Sequence, residues 1–260
     1  MMKNFLIGVI GVIGVITASA VVLWFVTVDS TKCYAKFVFV IEATKSVPED
    51  ARAEAYVAIE KSGGNLQRGD ELVAIPLTGD AATQASGKVA RFRLSTKRKA
   101  FDADLKEARE KIQTLLNRMR EETAAEPFIR TDLLGSLRIA AEENRGTEDG
   151  EFILAVLSDM IHDTPDLNFN THTAFANEES ARKFGRELAE RYDKVWKGAR
   201  IFLGQLRSED LKKLKTERRE AIRSFWIEFF KAGGASEVVF ATDGVGQLPD
   251  FMRGTKGENE

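Results

Sequence analysis

The sequence holds one cysteine, two histidines and five prolines in 260 residues. A lone Cys33 excludes an internal disulfide framework and any cysteine-rich zinc centre. His162 and His172 leave little for a histidine-based metal site. Excess charge of one sign is missing too, since 38 basic against 40 acidic residues give a formal net charge of −2. Wholesale electrostatic binding of nucleic acid needs a strongly basic chain, so no nucleic-acid partner is expected. With 43% hydrophobic residues, disorder is excluded for the bulk of the chain.

Familiar catalytic signatures are absent as well. There is no His-Glu-x-x-His and no Gly-x-Ser-x-Gly nucleophile elbow. Gly79 to Lys88 hints at a phosphate loop, but Ala82 stands where its first glycine belongs, and Val89 follows Gly87-Lys88 in place of Ser or Thr. The short basic run Lys97-Arg98-Lys99 reads as a solvated loop.

What is present begins with a long apolar run. Between Lys3 and Asp29 no charge intervenes, and Phe5 to Val28 is 24 residues. A helix of that length spans a hydrocarbon core of about 30 Å. Residues 5–28 are therefore expected to form a transmembrane signal anchor, after a short tail at 1–4 and before a linker at 29–35. The chain would then be a single-pass membrane protein contacting lipid through residues 5–28, with its soluble part preferred on the extracytoplasmic side. A cleavable signal peptide is the competing reading. Ala18-Ser19-Ala20 matches a small-x-small cleavage site, but the apolar run continues through Val26.

Beyond residue 35, short continuous apolar runs alternate with helical patterns. Phe37–Ile41, Leu72–Ile75, Phe152–Leu157, Ile201–Leu203 and Val238–Ala241 suit parallel strands covered on both faces. Lys88 to Leu94 alternates instead, as an antiparallel edge strand would. Helices are expected over Glu49–Lys61, Asp102–Thr123, Thr131–Glu143, Glu178–Tyr192 and Ser208–Lys231, the last ending in a core-facing aromatic stripe. The fold class is thus a three-layer α/β/α, Rossmann-like domain over residues 36–249. Its sheet is mostly parallel with one antiparallel edge strand, and a disordered tail is expected over 250–260.

Ligands of such sheets bind beyond the carboxyl ends of the strands. Glu42, Thr44 and Ser46 follow the first run, Thr131 opens a helix, and Asp159 follows the strand ending at Leu157. Oxygen groups from three loops can meet there, and such a set suits a hard divalent cation. Taken singly, Ser46 and Thr131 read as helix caps and Asp159 as an ordinary loop acid.

In this order the residues resemble the von Willebrand factor type A domain. That family carries a metal-ion-dependent adhesion site built from Asp-x-Ser-x-Ser, a later Thr and an Asp after the fourth strand. The resemblance implies metal ligation by Glu42, Thr44, Ser46, Thr131 and Asp159, with Mg²⁺ (or Mn²⁺ or Ca²⁺) as cofactor. It also implies a non-enzymatic role in which a protein partner supplies a carboxylate. Glu42 departs from the family's Asp by one methylene. Two alternatives stay open: a scaffold subunit of a membrane complex with a vestigial site, and a metal-dependent phosphoester hydrolase using His162 as base.

Overall fold

The computed structural model describes residues 35–42, 44, 46–81, 88–125, 130–145, 150–192 and 194–254. The transmembrane helix expected at 5–28 lies outside the described residues. Among the described residues, no helix is long and apolar enough to cross a membrane.

Six strands form one sheet: β1 (Ala35–Glu42), β2 (Glu71–Leu77), β3 (Ala90–Arg93), β4 (Glu151–Ser158), β5 (Arg200–Gln205) and β6 (Glu237–Ala241). Their order is β3-β2-β1-β4-β5-β6. Every pairing is parallel except β2 with β3, which is antiparallel. The alternating segment is thus the edge strand. Its Arg91 and Arg93 are exposed while Ala90 and Phe92 are half-buried, so charge marks its open side.

The central strands bury both faces, which explains their unbroken apolar runs. Val38, Val40, Val73, Ile75, Leu154, Val156, Ile201 and Leu203 pack on one side. Phe37, Phe39, Ile41, Leu72, Ala74, Ile153, Ala155, Leu157 and Phe202 pack on the other. The period of two sends neighbours to opposite layers.

The first layer is built by α3 (Leu133–Arg145), α4 (Glu178–Glu190) and α6 (Thr216–Ala232). The second is built by α1 (Glu49–Ser62), α2 (Arg98–Ala125) and α7 (Leu248–Arg253). Helix α1 follows Pro48, opens with Glu49 and Asp50 where the helix dipole favours acids, and stops at Gly63. It buries a stripe of alanines, Ala51, Ala55 and Ala58, together with Ile59. In α6, Phe225, Trp226, Phe229 and Phe230 are all buried, so the aromatic stripe faces the core.

Three expectations need correction. The basic run Lys97-Arg98-Lys99 is not a loop throughout, since α2 begins at Arg98. The helix expected over Ser208–Lys231 is two helices, α5 (Glu209–Lys213) and α6, because Leu214 and Lys215 adopt extended backbone. No glycine or proline marks that break. The segment 250–260 is not disordered throughout, since α7 runs to Arg253. Leu248, Phe251 and Met252 recur at helical spacing and are buried. Arg200 secures the end, donating from Nη2 to Phe251 O at 2.7 Å.

Candidate metal centre

Between β1 and β4 the connections leave the sheet in opposite directions, which opens a crevice at their carboxyl ends. Glu42 closes β1 at the floor of this crevice and is fully buried. Three loops bind its carboxylate. The Thr44 hydroxyl donates to Oε1. Thr131 Oγ1 donates to Oε1 at 3.4 Å, and the Asp159 amide donates to Oε2 at 3.2 Å. Thr44 Oγ1 stands 3.0 Å from Ser46 Oγ.

Above Glu42 lies a recess of about 20 Å³, room for one water-sized occupant. Thr44, Ser46, Thr131 and Asp159 line it, so four of the five expected residues share one cavity. Glu42, the fifth, lies beneath as the group that orders the loops. Asp163, Asn170 and Asp210 line the recess too, none of them expected from the sequence. All three stand in segments after β4 or β5, where the strand-end rule points, but no spacing motif singles them out.

Neither hydroxyl is spent on a helix end. The cap of α1 is Pro48, with no side-chain bond. Asp132 serves α3, its Oδ1 accepting from the Gly135 amide at 2.9 Å. Thr131 is instead fixed through its backbone by paired bonds with Asp163 at 3.1 and 2.8 Å.

The Asp159 turn is held from below. Its Oδ1 accepts the Ile161 amide at 2.9 Å, and Met160 sits at φ +66°, a left-handed conformation rare for a side-chain-bearing residue. The buried Trp226 indole donates to Met160 O at 2.9 Å and so fixes that strained peptide. Burial pushes the Asp159 carboxyl well above the ordinary range and the nearby Glu42 adds to this, while the Ile161 amide and Ser208 hydroxyl oppose it. Burial also raises Glu42, against hydrogen bonds from Ser158, Thr44, the Asp159 amide and Thr131.

The donors fit a hard cation. The polar side chains that line the recess all carry oxygens, and Asn170 Oδ1 is buried without a hydrogen-bond partner among the described residues. Among the described residues no three His, Cys, Asp or Glu side chains close on one point. Any fit therefore rests on hydroxyls mixed with carboxylates.

His162, the base a hydrolase would need, is buried with both ring nitrogens engaged. Nδ1 accepts the Leu134 amide at 3.4 Å, and Nε2 stands 3.2 Å from Thr164 Oγ1. Burial lowers its pKa from 6.5 to about 4, with Asp132 opposing the shift.

No family model matches the chain, and no curated protein matches it. Among solved structures, a von Willebrand factor type A protein from Catenulispora acidiphila is 15% identical, with a TM-score of 0.44, over 86% of this chain and 42% of that one. The manganese-loaded TRAP protein of Plasmodium vivax is 7% identical over 84% of this chain and 72% of that one, with a TM-score of 0.43. The human COPII-coat protein Sec24c is 12% identical over 85% and 31%, with a TM-score of 0.44. The chain thus spans less than half the length of the first and the third. Likeness at this level carries no residue role or activity across.

Proposed function

We propose that this chain is a protein-interaction module of the von Willebrand factor type A kind, whose contact point is a divalent cation held by Thr44, Ser46, Thr131 and Asp159. One observation supports it most. Glu42 takes the hydroxyl protons of Thr44 and Thr131, so those oxygens keep lone pairs, not protons, for a second neighbour. Lone pairs lining a recess beside the Asp159 carboxylate suit a cation, although a hydrogen-bond donor such as the Ser46 hydroxyl, 3.0 Å from Thr44 Oγ1, uses a lone pair in the same way. When bound, the ion supplies a positive point that an oxygen of a partner protein can meet, a carboxylate by the family's precedent. Residues 5–28 tether the module to a membrane in this reading, with the soluble part on its extracytoplasmic side.

The test is partner capture from solubilised membranes by the full chain. Ser46→Ala, Asp159→Ala and EDTA each abolish capture, while circular dichroism stays that of the wild type. Capture that persists through all three treatments removes the cation from the mechanism. Extraction of membranes at alkaline pH checks the tether, because an anchored chain stays in the pellet.

A further inference from the structure

We infer that the outer edge of β6 is a self-association surface, on which a second copy of this chain adds its own β6, antiparallel about Val239, to make one continuous sheet. The inference does not rest on the cation reading. The sheet has two outer strands, β3 and β6. β3 is guarded by the exposed Arg91 and Arg93, since charge on an edge strand opposes pairing with another chain. β6 has no such guard, because Val238-Val239-Phe240-Ala241 carries neither charge nor proline. Its Val238, Val239 and Phe240 are only half-buried, whereas Ile201, Phe202 and Leu203 beside them in β5 are fully buried. Among the described residues, no strand pairs with the outer edge of β6.

The backbone decides which groups that edge offers. In each aligned pair of a parallel ladder, one residue turns N–H and C=O to the neighbouring strand and the other turns both away. Leu206 N donates to Ser158 O at 2.8 Å, so Ser158 faces β5 and its aligned Gln205 faces β6. By the alternation of a strand, Leu203 and Ile201 face β6 as well. Their aligned partners Phe240 and Val238 therefore turn N–H and C=O outward. Antiparallel pairing about Val239 sets Val238 against the second copy's Phe240. Every outward N–H and C=O of these residues then finds a partner.

Side chains and charges suit the same register. Val239 lies on one face and meets its own counterpart, while Val238 lies on the other and meets an aromatic ring. Glu237 falls opposite Ala241, and it is already paired within its own chain to Arg200 at 2.6 Å. Centring on Phe240 instead would oppose Glu237 to Asp243, two acids. Antiparallel order also matches the ends by charge. Exposed Asp243 follows the strand, and exposed Lys197 and Lys231 precede it. None of the three has an ion-pair partner among the described residues. The Lys197 turn lies beside the start of β6, where Gly198 N donates to Gly234 O at 2.9 Å. Each copy's Asp243 thus comes to the other's lysine end.

The test is disulfide trapping on the full chain in detergent, with Cys33→Ser removing the native thiol. A non-hydrogen-bonded antiparallel pair holds its Cα atoms about 4.5 Å apart, within the reach of a disulfide. Val239→Cys therefore oxidises to a covalent dimer, while Val57→Cys, exposed on α1, does not. Light scattering finds the wild type dimeric. Val238→Pro deletes an outward N–H that β5 does not use, so it weakens the dimer about tenfold with circular dichroism unchanged. Asp243→Lys weakens it about threefold and keeps the inference falsifiable if the proline variant fails to fold.

A wild type that stays monomeric up to its solubility limit overturns the inference, whatever other protein binds the edge. Equal trapping at Val57 and Val239 overturns it too. A dimer untouched by both Val238→Pro and Asp243→Lys removes β6 from the contact.

Discussion

The two faces of the sheet are packed by different means. One carries Phe152, Phe169, Phe175, Trp196, Phe225, Trp226, Phe229 and Phe230, all buried and mostly in ring-to-ring contact. The other is covered by the alanine stripe of α1 and the long α2. It retains a cavity of about 220 Å³ between Phe39, Ile59, Leu66, Leu72, Leu105 and Met252. The dense face holds the Asp159 side of the candidate site, through Trp226 to Met160 O and through Arg218 Nη1 to Phe169 O at 2.8 Å, while the other face touches it through Arg52 Nη1, which donates to Thr44 O at 3.2 Å. A strained turn stays in place where the packing beneath it has no slack.

The sharpest way to break this contrast is Trp226→Ala. Loss of a buried indole costs about 3–5 kcal/mol, and the Met160 carbonyl loses its donor as well. Urea unfolding measures the loss, and weaker cation binding by the folded variant shows that the indole holds the Asp159 turn. A variant that stays within 1 kcal/mol of wild type would mean that Trp226 is not a support.

His162 on the same face gives a pH signature. Its folded pKa of about 4 lies below the ordinary 6.5, so the unfolded chain takes up a proton first as pH falls. The folded state thus loses up to about 3 kcal/mol between pH 6.5 and 4. Glu42 and Asp159 slope the other way, because raised carboxyls favour folding at low pH and lose that benefit as pH rises. His162→Asn keeps an acceptor for the Leu134 amide and removes the titration. The difference between the two stability curves therefore isolates the histidine.

Smaller again is Gly185→Ala in α4. A Cβ there would stand 2.8 Å from Phe225 O of α6, so the helices must part, at about 1–3 kcal/mol. Thermal melts read this directly.

What the sequence made legible follows from burial. The strands β1, β2 and β4 were visible because a strand covered on both sides needs unbroken apolar residues, and β3 because an edge strand needs alternation. Glu42, Thr44 and Asp159 stood out because they sit at or just beyond strand ends, and Thr131 because it lies two residues before α3. Asp163 and Asn170 did not, because they enter the recess through loop folding that Thr131 and Asp163 fix by pairing backbones across the two loops, and Asp210 did not, because it arrives on α5, whose Glu209 amide donates to Ser46 O at 3.3 Å. No local spacing encodes that pairing. The break at Leu214–Lys215 was hidden for a related reason, because it is made by backbone conformation without a breaker residue.

The mildest experiment inserts volume into each face. Leu105 is half-buried on the wall of the cavity, so Leu105→Phe adds ring atoms to space that already exists. Cavity filling of this kind commonly stabilises by about 0.5–2 kcal/mol, and partial exposure puts this case at the low end. Ala221 is fully buried against the aromatic layer, so Ala221→Val forces neighbours off their rotamers and costs about 1–3 kcal/mol. Opposite signs for the two changes, read as shifts in urea midpoint at constant slope, sustain the contrast between the faces. A destabilised Leu105→Phe would mean that the cavity walls cannot accept a ring, and the second face would then be as rigid as the first.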